Sequence, residues 1–382
     1  MSSNRIESID WLRGFVMILM ALDHVRDYFH SYDGDPLGSE AGPFLYATRW
    51  ITHLCAPIFV LLSGMAAGLV GRKKSKSALS GFLLSRGLWL IFIEITLVTF
   101  GWKFNLSNSP ALILQVIWAI GICMVLMSVL VFFSTRVNLA LGLLIILGHN
   151  FIGYMMPESS IPIADPWWMG LERRIFIQLF GLNVVVAYPF LAWLGIMALG
   201  YGMSPLFRKR STDRARIFVR IGVGSLIAFV MIRYSNYYGD TDSWTSGNSF
   251  ADTVMNFMDV QKYPPSLLYT LITLGIGMIL LWIIERVRLP LHDQVVTIGR
   301  VPFFFYILHI YLIHGASVVV GLYQGFSLSE MTNLFRNYPA EFGFSLIIVY
   351  LVWIAIVVVL YPACKWFAGV KERTRAWYLS YL

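Results

Sequence analysis

The sequence predicts an all-α protein, a polytopic membrane helix bundle of about ten spans (ten or eleven) with both termini cytoplasmic, and three observations predict it. Hydrophobic residues make up 58% of the 382 positions and charged residues only 13%, about half the ~25% of soluble domains. The mean hydropathy is +0.69, and the apolar residues come in long runs, as a hydrocarbon core ~30 Å thick demands of spanning helices. The basic residues fall in short clusters between those runs, so the net charge of +8 follows the positive-inside rule. No single basic face is left for nucleic acid.

A window of ~19 residues places spans near 12–29, 51–71, 83–101, 111–133, 137–156, 183–203, 217–234, 264–285, 299–323 and 341–362. The first run begins after Asp10 and Arg13 with no small-residue cleavage site behind it, so it is expected to stay as a span rather than leave as a signal. The second span ends at Arg72, Lys73, Lys74 and Lys76, with Arg86 beyond, and the sixth ends before Arg208, Lys209, Arg210, Arg214 and Arg216. Arg286, Arg288 and Arg300 flank the start of the ninth, and Lys365, Lys371, Arg373 and Arg375 fill the tail. With ten spans all four clusters share one side, which makes it cytoplasmic. Between the fifth and sixth spans, 170–182 (GLERRIFIQLFGL) is amphipathic and too short to cross, so it reads as an interfacial helix, with an eleventh crossing as the alternative.

The opposite side carries the long connections 30–50, 157–182, 235–263 and 322–341, rich in Asp, Ser, Asn, Gly and aromatics. Trp167, Trp168, Tyr237, Tyr238 and Trp244 suit an interfacial belt and equally suit stacking on a sugar or other polar acceptor. No internal repeat of the kind many transporters show and no low-complexity linker is visible, so one domain, 1–382, is expected. Cys55, Cys123 and Cys364 lie in or beside apolar runs without a CxxC pair, which predicts reduced structural thiols. No His/Cys/Asp cluster has ligand spacing on one helix face, so no metal is expected.

The first span is the most informative stretch. Asp10, Arg13, Met17, Met20, His24 and Asp27 follow steps of three and four and share one stripe of a helix, which leaves Phe15, Val16, Ile18, Leu19, Leu22 and Val25 to face lipid. An intramembrane Asp or Arg costs at least ~2.5–3.5 kcal/mol on insertion scales and is a functional candidate by default. A pair of Asp10 and Arg13 that merely anchors the helix at the interface competes evenly with that reading. His24, eleven residues past Arg13, lies about 16 Å deeper, near mid-membrane. Asp23 adjoins it in sequence, and Asp27, one turn on and on the same face, is the better orienting partner. In the ninth span His309 lies about 13 Å from Arg300 at helical rise, deep enough to meet His24. Steps of 100° per residue put Arg300 and His314 within about 40° of one another and His309 on another side, so one of the two imidazoles faces a shared cavity. His53 either lines an acceptor entrance or marks the interface.

The pattern R-x-x-S-x-D-x-x-R-G from Arg5 to Gly14, followed by M-x-x-D-H-x-R-D-Y-F from Met20 to Phe29, resembles the bacterial members of the heparan-alpha-glucosaminide N-acetyltransferase family. More distantly, the Arg13 to His24 spacing is similar to that of membrane acyltransferases that O-acetylate bacterial surface glycans. His53 to Gly64 (HLCAPIFVLLSG) and Tyr306 to His314 (YILHIYLIH) look like further family segments in the second and ninth spans. The resemblance implies an acetyl-CoA-dependent transmembrane acyltransferase of EC 2.3.1 type. Such an enzyme moves an acetyl group from cytoplasmic acetyl-CoA to an acceptor across the membrane, through a tunnel in a bundle of ten or eleven helices. It implies a multi-pass protein of the bacterial inner membrane engaged in glycan modification, and it leaves His24 and His30 both open as the catalytic imidazole.

Acetyl-CoA holds its anionic phosphates far from its thioester, so a tunnel enzyme needs cations at the cytoplasmic mouth and a base deeper in. Arg13 with Asp10, the loop cations Arg72, Lys73 and Lys74, and Arg300 are the candidates for the mouth, although topology alone accounts for the loop cations equally well. His24, with Asp27 and Asp23, supplies the base, by general-base catalysis or through an acetyl-histidine. His30, His53, His309 and His314 are acceptor-side or supporting candidates. The expected partners are the bilayer, acetyl-CoA and a sugar or other small acceptor, with homodimerisation open. A secondary transporter using buried Asp, Arg and His as a relay is the rival, disfavoured by the missing repeat and the absence of paired Gly/Pro-broken spans. A catalytically silent lipid- or glycan-binding protein is a third reading.

Overall fold

A computed structural model describes residues 6–31, 34–38, 41–105, 112–155, 171–179, 181–374 and 379. In chain order they form α1 (Glu7–Phe29), α2 (Gly42–Ile51), α3 (Cys55–Gly71), α4 (Lys76–Ile93), α5 (Thr99–Lys103), β1 (Leu112–Leu114), α6 (Val116–Leu130) and α7 (Thr135–Met155). They continue as β2 (Ile175–Leu179), β3 (Leu182–Val186), α8 (Leu191–Met203), α9 (Ser211–Ser235), α10 (Phe250–Met258), α11 (Leu267–Ile284), α12 (His292–Arg300), α13 (Pro302–Tyr323), α14 (Leu328–Met331) and α15 (Leu346–Thr374).

Among the described residues seven helical stretches are long and apolar enough to cross a membrane: Gly42–Gly71, Lys76–Lys103, Thr135–Ile152, Ser211–Ser235, Leu267–Ile284, Pro302–Tyr323 and Leu346–Thr374. The chain is thus an all-α polytopic membrane bundle. The other three expected spans coincide with α1, α6 and α8. Charge sets α1 apart from the seven, since it carries Glu7, Asp10, Arg13, Asp23, Arg26 and Asp27. α6 and α8 are 15 and 13 residues long, short of the ~20 that a full crossing takes.

The segment expected as an interfacial helix is instead a β-hairpin. β2 pairs antiparallel with β3, and β1 pairs parallel with β3. Ile175, Phe176 and Ile177 favour the pleat, Phe176 points out while Ile175 is buried, and Gly181 takes a positive φ of 78° in the turn. The sixth apolar run therefore turns helical only at Leu191. Trp167 and Trp168 lie outside the described residues.

The chain's contacts group into two units, each discontinuous in sequence. One comprises Met1–Cys55, Thr96–Ser109 and Val287–Leu382. Within it α1 packs against α2, α12, α13 and α15. Val16, Leu19, Leu22 and Val25 are all buried, so the side of α1 expected to face lipid is covered by these neighbours. The indole N–H of Trp353 on α15 donates to the Ile18 carbonyl at 2.8 Å. α1 and α12 touch backbone to backbone: a Cβ at Gly14 would collide with the Val295 carbonyl, and one at Gly299 with the Asp10 carbonyl, the close approach that small residues permit in membranes. The ninth run is not one helix. Val301 (φ −133°, ψ 48°) separates α12 from α13, and Pro302 opens α13 at a position where its missing N–H costs nothing.

The second unit comprises Ala56–Ile95 and Pro110–Arg286. Here α4 packs on α6, α7 on α8, and α9 on α11. The Glu94 carboxylate is completely buried and accepts the backbone N–H groups of Gln115 and Trp118 at 2.9 and 3.2 Å. It caps the N-terminus of α6 from inside the unit. From the last turn of α9, the Arg233 guanidinium donates to the carbonyls of Asp242, Asn256, Phe257 and Asp259 at 2.6–3.0 Å, closing the C-terminal end of α10.

Candidate active site

His24 stands three-quarters of the way along α1 and is 9% exposed; His309, on α13, is fully buried. Their rings stack at 4.9 Å, tilted by 11°, and His24 Nδ1 lies 2.7 Å from His309 Nε2. The other nitrogen of His309, Nδ1, lies 3.0 Å from the Phe305 carbonyl. A carbonyl only accepts, so His309 Nδ1 carries a hydrogen. With both rings neutral, His309 Nε2 accepts the Nδ1–H of His24, and the His24 lone pair resides on Nε2. A backbone carbonyl on α13 thereby selects the tautomer of a ring on α1, as the partner of one ring nitrogen sets the state of the other.

Aromatic rings border the pair. Trp102, at the end of α5, meets His24 edge-on at 4.7 Å, and Tyr306 does so at 6.4 Å. Tyr28, one turn past His24, donates its hydroxyl to the Trp102 carbonyl at 2.5 Å and stacks on Trp102 and His314. Trp102 was not singled out from sequence, and Tyr28 stood there only as a letter of the first-span motif. Trp102 ends an apolar run, where an aromatic reads as interfacial belt.

The acidic neighbours expected to orient His24 are engaged elsewhere. Asp27 is paired with Arg26. Asp23 takes Arg26 at 3.0 Å and Arg49 at 2.9 Å, and accepts the Thr52 hydroxyl at 2.9 Å. Two carboxylates and two guanidiniums thus balance in one network joining α1 to α2. Arg26 was legible as a partner, being three residues from Asp23 and adjacent to Asp27. Arg49 was not, because nothing local in sequence ties it to α1.

The remaining candidates separate clearly. His314 sits between the Gly101 carbonyl at 2.8 Å and the Met331 carbonyl at 3.2 Å and stacks on Phe104 at 4.0 Å, so it fastens α13 to α5 and α14. His30, just past α1, bridges to Phe344 and lines a cavity of ≈ 280 Å³ with Ala41–Leu45 and Leu346. Burial, and then the Arg26 charge, lower its pKa below the ordinary 6.5. His53 is buried in the 3-10 turn between α2 and α3. Arg13 donates to Asp10 at 3.2 Å and to the Gly299 carbonyl at 3.4 Å. Arg300 reaches Glu372 at 3.1 Å, and the break at Val301 takes it off the helix that carries His309. Arg72 and Lys73 are exposed and belong to the other unit. No group of three or more His, Cys, Asp or Glu that could hold a metal ion occurs among the described residues.

Two buried imidazoles in contact inside a membrane bundle are groups able to hold or move a proton away from bulk water. Residues 5–234 match the model of the heparan-alpha-glucosaminide N-acetyltransferase family, catalytic region, and the chain belongs to this family. Membership implies an acetyltransferase, and the family's donor is acetyl-CoA. The matched residues contain His24, His30 and His53 and end before His309. No curated protein matches the chain.

Proposed function

We propose that the protein transfers the acetyl group of cytoplasmic acetyl-CoA to a hydroxyl or amine of an extracytoplasmic acceptor, a sugar or glycan, with His24 as general base. One observation carries this reading: the 2.7 Å contact between His24 Nδ1 and His309 Nε2, which leaves His24 Nε2 as the basic nitrogen. As the acceptor oxygen or nitrogen bonds to the thioester carbonyl carbon, its proton passes to His24 Nε2. Collapse of the adduct breaks the C–S bond, and the same proton goes to the departing sulfur. General-base catalysis of this kind contributes ~10²–10⁴ in rate.

Arg13, with Asp10 and the Gly299 carbonyl fixing its guanidinium, is the residue of this unit suited to a coenzyme phosphate. Arg72 and Lys73 are exposed cations suited to the same task. Arg300, tied to Glu372, is less so. The whole chain acts as one acyltransferase domain in a bacterial inner membrane, and the chemistry asks for no metal.

The test is turnover of labelled acetyl-CoA by the purified protein with a panel of amino sugars and glycans. His24→Ala should abolish turnover while coenzyme binding persists, and Arg13→Ala should weaken binding first. Equal loss of binding in both variants contradicts the assignment. Solute uptake with no thioester turnover would instead support a carrier.

A further inference from the structure

In the unit of Ala56–Ile95 and Pro110–Arg286, helices α7, α8, α9 and α11 border an elongated groove of ≈ 510 Å³. Its wall is almost wholly apolar, with Ser225 and Thr270 as its few polar side chains and Lys209 at one end. Apolar cavities of this kind do not hold water, and in a membrane the neighbouring solvent is hydrocarbon.

Three observations describe the occupant. Along α11 the lining runs from Leu267 to Met278, eleven steps of ~1.5 Å, or about 16 Å. That is half of a hydrocarbon core ~30 Å thick, the depth of one leaflet. The Arg214–Glu285 ion pair, at 2.7 Å, ties the start of α9 to the end of α11, so Lys209, just ahead of α9, stands at the Met278 end. Lys209 is exposed between Arg208 and Arg210 and enters no ion pair among the described residues, so the mouth of an apolar slot carries uncompensated positive charge. By the positive-inside rule this is the cytoplasmic end.

We propose that the groove binds an anionic phospholipid of the cytoplasmic leaflet, with one acyl chain along α9 and α11 and the phosphate at Lys209. The apolar wall holds the chain, and the Lys209 ammonium selects the headgroup. This assignment stands apart from the acetyl-transfer reading, since it uses none of those residues.

Full-length protein in nanodiscs of equal phosphatidylglycerol and phosphatidylethanolamine, released into mild detergent and weighed by native mass spectrometry, tests it. The wild type should retain one phospholipid, phosphatidylglycerol over phosphatidylethanolamine by about five-fold, the ratio that ~1 kcal/mol per basic residue gives. Lys209→Gln, at an exposed position, should keep a lipid and lose the preference. Leu271→Trp and Ser225→Phe, which fill the slot, should lose the lipid while eluting as folded protein. Equal retention of both lipids by the wild type, full retention in both folded filling variants, or recovery of detergent in place of phospholipid overturns the proposal.

Discussion

His309 offers a way to separate positioning from chemistry. Its ring hands a lone pair to His24 Nδ1–H and anchors itself on the Phe305 carbonyl. His309→Ala is therefore expected to lower kcat by about 10–10²-fold, less than loss of the base itself, with KM for acetyl-CoA little changed. His309→Gln, whose amide oxygen can accept from His24, should recover most of the rate, and steady-state kinetics of the three forms checks this. At His30 the expectation concerns pH. Its folded pKa lies below the ordinary 6.5, so the stability it contributes is present above that value and is lost as pH falls through the folded value. The melting temperature of the wild type should fall on acidification from pH 7.5 to 5 more than that of His30→Gln. The sequence made His24 legible because a span's polar residues repeat at helical steps. Its partner was visible only as one lone histidine among several, since no local spacing links residues on different helices. Asp27, the acid expected to orient His24, is paired with Arg26, its neighbour in the chain.

At the scale of elements, two contacts deserve a test because sequence periodicity says nothing of either. Glu94 caps α6 from a π turn, Glu94–Val98, a type of bulge frequent near functional sites. Glu94→Ala would leave the N–H groups of Gln115 and Trp118 without this acceptor, at a cost of about 1–3 kcal/mol, read by unfolding in mixed micelles. Gly14→Val should be worse tolerated than Gly14→Ala, and both should separate α1 from α12, which cross-linking of engineered cysteine pairs on the two helices would record as lost yield. Most helices were legible, since most apolar runs became helical over much of their length. The hairpin at Ile175–Val186 was not, because an amphipathic helix and a short strand pair share a composition and only pairing with β1 favours the strands. The break at Val301 was signalled by Pro302, but an apolar window averages across it.

For the molecule as a whole, the charge pattern predicts that both termini share the side of Arg72, Lys209 and Arg286. Single cysteines placed near each end should be labelled by an impermeant maleimide only after the cytoplasmic face is opened. The helical class was readable from composition alone. The division of contacts into two units was not, because each unit gathers stretches that are far apart along the chain. That interleaving has a consequence in time. His24 and His309 are 285 residues apart, and a ribosome adding ~5–20 residues per second takes roughly 15–60 s to cover the interval. Throughout that delay the first span waits without His309, so a polypeptide stopped short of α13 carries the family's matched segment and lacks the ring that sets its tautomer.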